Sequence, residues 1–271
     1  MALTLPLTLS PSKVSAFKNC ALAFRFSVID RLPEPPSAAA VKGTIVHRAL
    51  ERLYCGEPAE RTLPAALSAL GQAFDEAVEV DPEYAELGLG GEEAEELRAD
   101  AEQLVRRYFE MEDPTTVRPI GIELLLEARL DGVRLRGIID RLELDGDGEL
   151  VVTDYKTGRA PSPRYEQGRF GGVHFYAFLC EAMLGRRPAR VQLLYLGDGT
   201  TIVAVPSEQS VRGLERRVAA LWHAVVRACA TDDFRPHPGP LCEWCSFQSY
   251  CPSFGGDPAR ALRDERVPGG V

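Results

Sequence analysis

Gly137-Ile138-Ile139-Asp140-Arg141 and, after a turn, Val151-Val152-Thr153-Asp154-Tyr155-Lys156-Thr157-Gly158 place two carboxylates and one ammonium at the ends of apolar segments. Asp140, Asp154 and Lys156 are residue types suited to metal-assisted phosphodiester hydrolysis. A phosphodiester resists attack because its anionic oxygens repel hydroxide and its alkoxide leaves poorly. Mg2+ or Mn2+ held by hard oxygen ligands neutralises that charge and lowers the pKa of a bound water. A neighbouring lysine orients the water or stabilises charge building on the phosphate. No Ser-His-Asp set stands out, and this chemistry requires no protein nucleophile.

The elements needed to hold these groups are legible. Val133 to Leu144 and residues 149–155 are rich in Val, Ile and Leu, and Asp145-Gly146-Asp147-Gly148 joins them as a turn that tolerates positive φ, so they read as an antiparallel hairpin. Side chains alternate along a strand, which puts Asp154 and Lys156 on one face and Val151 and Thr153 on the other, with Asp140 across the hairpin. Charges on apolar strands are costly unless paired or metal-bound. Asp-x-Lys alone reads as an ion pair at a sheet end; the second carboxylate turns the reading towards a metal site. Upstream, Val46, Ala49, Leu50 and Leu53 form the apolar face of a helix beginning near Gly43, and His47 sits beside that face. A lone helical histidine is commonly packed or solvated, yet imidazole is also a common partner of carboxylates around a divalent ion.

A second constellation lies near the C-terminus, where Cys242, Cys245 and Cys251 fall within ten residues. The first six residues lack a basic, apolar leader pattern, and no stretch approaches the roughly 20 apolar residues of a membrane span. A reducing cytoplasm is therefore expected, where such clusters bind metal or do redox chemistry rather than form disulfides. A metal needs a fourth thiolate, from Cys20, Cys55, Cys180 or Cys229, and spacing alone does not choose. Cys180 and Cys229 lie in apolar helical runs and read as core cysteines. Cys20 lies in the amphipathic segment 12–29, where it could face a returning C-terminus.

Taken in order, Cys20, Gly43-x-x-x-His47, Gly137-x-x-Asp140, Asp154-x-Lys156-Thr157-Gly158 and Cys242-x-x-Cys245-x5-Cys251 resemble the RecB-family branch of the PD-(D/E)XK nucleases. The pattern is similar to the members with an iron–sulfur cluster, such as the AddB nuclease domain and the CRISPR-associated adaptation nuclease. The resemblance implies an α/β restriction-endonuclease-like core of order αβββαβ with helical additions. It implies His47, Asp140 and Asp154 as divalent-metal ligands, the Tyr155 carbonyl oxygen as an additional one, and Lys156 as the catalytic lysine. It also implies Cys20, Cys242, Cys245 and Cys251 as ligands of a 4Fe-4S cluster that staples the fold, with zinc as the alternative for four thiolates. One position departs from the pattern: Gly172 stands where the family has a Gln four residues before Tyr176, with His174 or Gln167 as substitutes. Glu123 matches an acidic position of the family, either as support for the metal ligands or as a solvated strand end. Glu51 reads as a solvated or helix-pairing charge.

The remaining organisation fits one enlarged domain over 10–252, with a helical insertion at about 57–115, the Cys-rich segment 242–251 and a loose tail over 253–271. Ser10-Pro11 opens an N-terminal helix, residues 33–36 form a Pro-rich connector, and 62–80 and 92–110 read as helices, as an arch over the site or as ordinary packing. Strands near 117–130, 133–144 and 149–155 precede a helix at 165–184, a hairpin of 189–196 with 200–205, and a helix running to Ala230. With 31 basic and 40 acidic residues the net charge is −9, awkward for a nucleic-acid enzyme. The acids concentrate in 75–113, however, whereas Arg159, Arg164, Arg169, Arg186, Arg187 and Arg190 follow the lysine motif, as a phosphate track or as solvated charges. The function expected is a DNA nuclease, an exonuclease on single strands or DNA ends in repair or recombination. The rival is a non-catalytic nucleic-acid-binding or scaffold subunit of a repair or CRISPR-adaptation complex. No helicase motor motif is present, so unwinding would need a helicase or other repair protein as partner; no membrane association is expected.

Overall fold

The computed structural model describes residues 3–161, 163–261 and 263, with the backbone alone over 163–171. In chain order the elements are β1 (Thr8–Leu9), α1 (Pro11–Asn19), α2 (Ala21–Phe24), a π-helical turn (Arg25–Ile29), α3 (Ala38–Cys55), α4 (Leu63–Val80), α5 (Pro82–Leu87), α6 (Gly91–Met111), β2 (Pro119–Leu130), β3 (Val133–Leu144), β4 (Leu150–Lys156), α7 (Pro163–Leu184), β5 (Arg190–Tyr195), β6 (Thr200–Ala204), α8 (Glu208–Thr231) and α9 (Pro258–Ala261). One mixed sheet takes the order β1-β3-β4-β5-β6, with β2 also paired to β3. No helix among the described residues is long and apolar enough to cross a membrane.

Local sequence explains most boundaries. Ser10, Ser37, Thr62 and Asp81 cap α1, α3, α4 and α5, each side chain accepting from a backbone N–H in the first turn. Glu93 accepts from the Gly90 N–H at 2.9 Å at the start of α6. In the β3–β4 turn, Asp145 Oδ1 accepts from Asp147 N and Glu149 N at 3.0 Å each, and Gly148 takes φ 75°. The amphipathic segment 12–29 is broken at Cys20, which is extended (φ −159°, ψ 113°), and the turn after α2 widens to a π geometry closed by Asp30 N donating to Arg25 O at 2.8 Å. One expectation is corrected. Gly43 does not begin the His47 helix but lies inside α3, where a Cβ would meet Thr157 Oγ1 at 3.4 Å.

The chain divides into two compact units. The first comprises Met1–Pro35, Glu127–Gly137 and Glu208–Val271, and the second Pro36–Leu126 and Ile138–Ser207. In the first, β1 runs parallel to β3 with Thr8 opposite Arg134. In the second, β3 and β4 are antiparallel with Arg141 opposite Thr153 as the last pair in register, and Asp140 and Asp154 are the residues that flank that pair. There β4 runs parallel to β5, with Lys156 beside Tyr195. The same unit's α3, α4 and α6 pack around Val46, Leu50, Leu70, Phe74, Leu104 and Val105, an ordinary helical core rather than an arch.

Candidate metal and nuclease site

Helix α3 and strands β2, β3 and β4 converge on one acidic site in the second unit. His47 Nδ1 lies 3.6 Å from Asp140 Oδ2 and 3.9 Å from Glu123 Oε1. Ligand atoms of His47, Glu123 and Asp140 all fall within 4.8 Å of one another. The Tyr155 N–H donates to Asp140 Oδ2 at 2.6 Å, which fixes that carboxylate at the hairpin end. Asp154 stands beside this trio, turned towards Lys156: Nζ is 2.5 Å from Asp154 Oδ2, while the Tyr176 hydroxyl donates to Oδ1 at 3.2 Å. Asp140 and Asp154 are 8 % and 3 % exposed.

The electrostatics follow from that crowding. Burial, then the Asp154 charge, raises the Asp140 pKa well above the carboxylate range. Burial and Asp140 push Glu123 up to about 7. Burial lowers the His47 pKa against the pull of Asp154 and Glu123, and His47 also hydrogen-bonds the Tyr155 backbone. Burial opposes the Lys156 ammonium, yet Asp154 and Asp140 leave its pKa raised. Three buried or half-buried carboxylates crowded beside a neutral imidazole, with Lys156 the one cation among the described residues that touches them, make a donor set that fits a hard divalent cation.

Glu123 is the residue whose place the sequence left open. It adopts φ 46° within β2, a left-handed conformation rare for a long side chain, and that kink aims its carboxylate at His47. No local sequence signal marks the kink. Glu51 is near enough to Glu123 to help raise its pKa. A Cβ on Gly172 would meet no described atom within 4 Å, and Gln167 lies outside the described side chains.

Behind the acidic face lies a feature the motifs did not announce. The Arg141 guanidinium is 0 % exposed and donates to Tyr54, Tyr155 and Thr153 at 2.7, 2.8 and 3.2 Å. It also forks onto the two carboxylate oxygens of Glu112. Tyr54 belongs to the His47 helix, while Arg141 and Tyr155 adjoin Asp140 and Asp154 in the chain. The sequence signal for this hub was a cation directly after Asp140, set between Ile138-Ile139 and Leu142 in an apolar strand.

The arginines after the lysine motif divide differently from a phosphate track. Arg186 pairs with Glu149 at 3.1 Å, Arg187 with Glu181 at 3.6 Å and Arg190 with Asp145 at 2.9 Å, so these three are compensated surface charges. Arg159 is exposed, and the side chains of Arg164 and Arg169 lie outside the described residues.

In the first unit, Cys20, Cys242, Cys245 and Cys251 line one cavity of about 450 Å³. His237 N donates to Cys20 Sγ at 3.4 Å and Gly239 N to Cys242 Sγ at 3.3 Å. Burial raises the Cys245 pKa, as do Cys20, Cys242 and Cys251. Cys180 and Cys229 are buried, as ordinary core cysteines are, and Cys55 is exposed.

Known proteins share this framework. The chain is 25% identical over 267 residues to the gene 69 protein of Mycobacterium phage D29, covering 90% of this chain and 96% of that one. It is 29% identical over 137 residues to the gene 69 protein of Mycobacterium phage L5, covering 49% and 45%. A solved candidate exonuclease from Eubacterium rectale superposes with a TM-score of 0.59 at 11% identity over 88% of this chain and 87% of its own, a likeness of fold. The profile of one nuclease superfamily matches residues 8–252, nearly the whole length over which the site and its supporting elements are built, and the chain therefore belongs to the PD-(D/E)XK nuclease superfamily.

Proposed function

We propose that this chain is a Mg2+- or Mn2+-dependent DNA nuclease of the RecB type, an exonuclease acting on single strands or DNA ends in repair or recombination. The observation that carries the reading is the convergence of His47, Glu123 and Asp140 within 4.8 Å beside the Asp154–Lys156 ion pair, in a chain of this superfamily. His47, Asp140, Asp154 and the Tyr155 carbonyl oxygen would hold the divalent ion, joined by Glu123. When bound, that ion supplies charge neutralisation and a water of lowered pKa. Lys156 stays protonated beside Asp154, where its ammonium orients the attacking water and meets charge developing on the phosphate. Tyr176 holds Asp154 to one rotamer from the opposite side.

Cys20, Cys242, Cys245 and Cys251 are assigned as ligands of a 4Fe-4S cluster. All four cysteines line one cavity of about 450 Å³, which supports a single group shared among them, with zinc as the alternative for four thiolates. A helicase or other repair protein would supply unwinding, and the cytoplasm is the expected compartment.

The test is digestion of 5′- and 3′-labelled single- and double-stranded DNA by anaerobically purified wild type and Asp154→Ala, with and without Mn2+. Cleavage by metal-loaded wild type alone is expected, and the label released gives the polarity. Equal inertness of both proteins with the cluster intact would overturn the reading in favour of a binding or scaffold subunit.

A further inference from the structure

Within the first unit, cations gather with little to neutralise them. Lys13 on α1 donates to the Thr8 carbonyl at 3.2 Å, and Thr8 pairs with Arg134 on β3. Arg134 and Arg136 project from the same face of β3 and share one carboxylate, Glu127 of β2, at 3.9 and 3.8 Å. Arg129, two residues after Glu127 on β2, points to that face as well and is exposed. Arg31 joins from the end of the π-helical turn, close enough to weigh on Lys13. Among the described residues neither Arg31 nor Arg129 has an ion pair, and the nearby Asp131 is committed to His223 at 2.9 Å. Five cations thus face one half-buried carboxylate, in a chain whose net charge is −9.

Like charges held together on a folded surface repel one another, and a polyanion relieves the repulsion. Burial lowers the Lys13 pKa, with Arg31 and Arg136 adding to the effect and no carboxylate opposing it. The spacing narrows the choice of anion. Arg134 and Arg136 are two residues apart on a strand, about 6.7 Å, which matches the phosphate repeat of an extended nucleic-acid strand better than one isolated phosphate. They precede Asp140 in the chain by six and four residues.

We infer that Lys13, Arg31, Arg129, Arg134 and Arg136 form a backbone-binding site for single-stranded DNA, separate from the residues that hold the metal. The inference rests on the nuclease reading for its choice of polyanion. It assigns to this surface the phosphate binding that the paired Arg186, Arg187 and Arg190 do not offer.

The experiment measures binding of a fluorescein-labelled single-stranded oligonucleotide to Asp154→Ala protein by anisotropy over a range of NaCl concentrations. Arg134→Gln/Arg136→Gln in that background is expected to weaken binding tenfold or more at low salt and to reduce the slope of log K against log salt by about 1.4, or 0.7 for each phosphate no longer neutralised. Arg134→Lys/Arg136→Lys keeps the charge and is expected to keep the slope, which separates the removal of charge from damage to the fold. An unchanged slope in the Gln variant overturns the inference, and so does an unchanged slope with loss of poly-glutamate binding, which would make the surface a dock for an acidic protein. In protein retaining Asp154, Mn2+-dependent hydrolysis of thymidine 5′-(p-nitrophenyl) phosphate, which offers no extended backbone, is expected to be equal with and without the Gln substitutions. Absence of that hydrolysis counts against the nuclease reading, while the anisotropy result still decides the DNA site.

Discussion

Arg141 donates to the Tyr155 hydroxyl at 2.8 Å across the β3–β4 hairpin, on the face opposite the pair Asp140 and Asp154. The same guanidinium reaches Tyr54, so a single buried cation ties the two acidic strands to the helix that carries His47.

Replacing Arg141 by Met leaves Glu112 buried with no cation. A loss of about 3–5 kcal/mol is expected for breaking such a pair, measured as a lowered urea midpoint. Arg141→Met combined with Glu112→Gln should recover part of that loss, since the stranded charge is then removed as well.

Acid should expose the same pair. Burial works against the Glu112 carboxylate, but the Arg141 hydrogen bonds and charge, with the Tyr108 and Tyr54 hydroxyls, hold its pKa below the usual 4.5. A group depressed in the folded state contributes stability that is complete above its unfolded pKa and fades as pH falls through the folded one. Stability of the wild type should therefore decline with acidity below about pH 4.5, and Glu112→Gln, though less stable at neutral pH, should show a shallower decline. Urea titrations at several pH values between neutrality and acid check this.

Glu123 combines backbone strain with charge repulsion, and an uncharged side chain of the same shape relieves the second. Glu123→Gln is expected to raise the unfolding temperature of the metal-free protein while reducing Mn2+ affinity and cleavage about tenfold or more. Calorimetry with and without Mn2+ should show a smaller metal-induced shift in the variant. An unchanged shift would mean that Glu123 stands outside the ion's reach.

Gly197 is the narrowest point beside the lysine strand. Its N–H donates to Gly158 O at 3.1 Å, and a Cβ there would lie 2.4 Å from that same oxygen. Gly197→Ala must push the residues after Lys156 away from the β5–β6 turn. We expect a loss of about 1–3 kcal/mol together with a fall in cleavage rate at saturating DNA. Assays of protein shown to be folded by circular dichroism check the second effect.

The sequence made the hairpin readable because three independent signals agreed there. Apolar alternation, a turn rich in Asp and Gly, and charged residues two apart all pointed to strands whose bounds at Val133–Leu144 match the structure. The Asp154–Lys156 pairing likewise followed from strand period alone. Cys20 was harder: it interrupts an amphipathic stretch without a Gly or Pro, so periodicity ran through a break made by backbone geometry. Glu123 was undecidable because its role depends on a positive φ that no turn residue announces. The arginines after Lys156 were ambiguous because their carboxylate partners Glu149, Glu181 and Asp145 are chosen by sheet and helix packing.

The cysteine-lined cavity has a consequence for the order of synthesis. Pro36–Leu126 and Ile138–Ser207 make up the second unit, whose last residue is translated well before Cys242, Cys245 and Cys251. Chains elongate at about 5–20 residues per second, so the Cys20 thiol leaves the ribosome tens of seconds ahead of the three sulfurs it will join. Of the two units the first is consequently the later to be completed, and whatever fills its cavity must be delivered after Cys251 has been made.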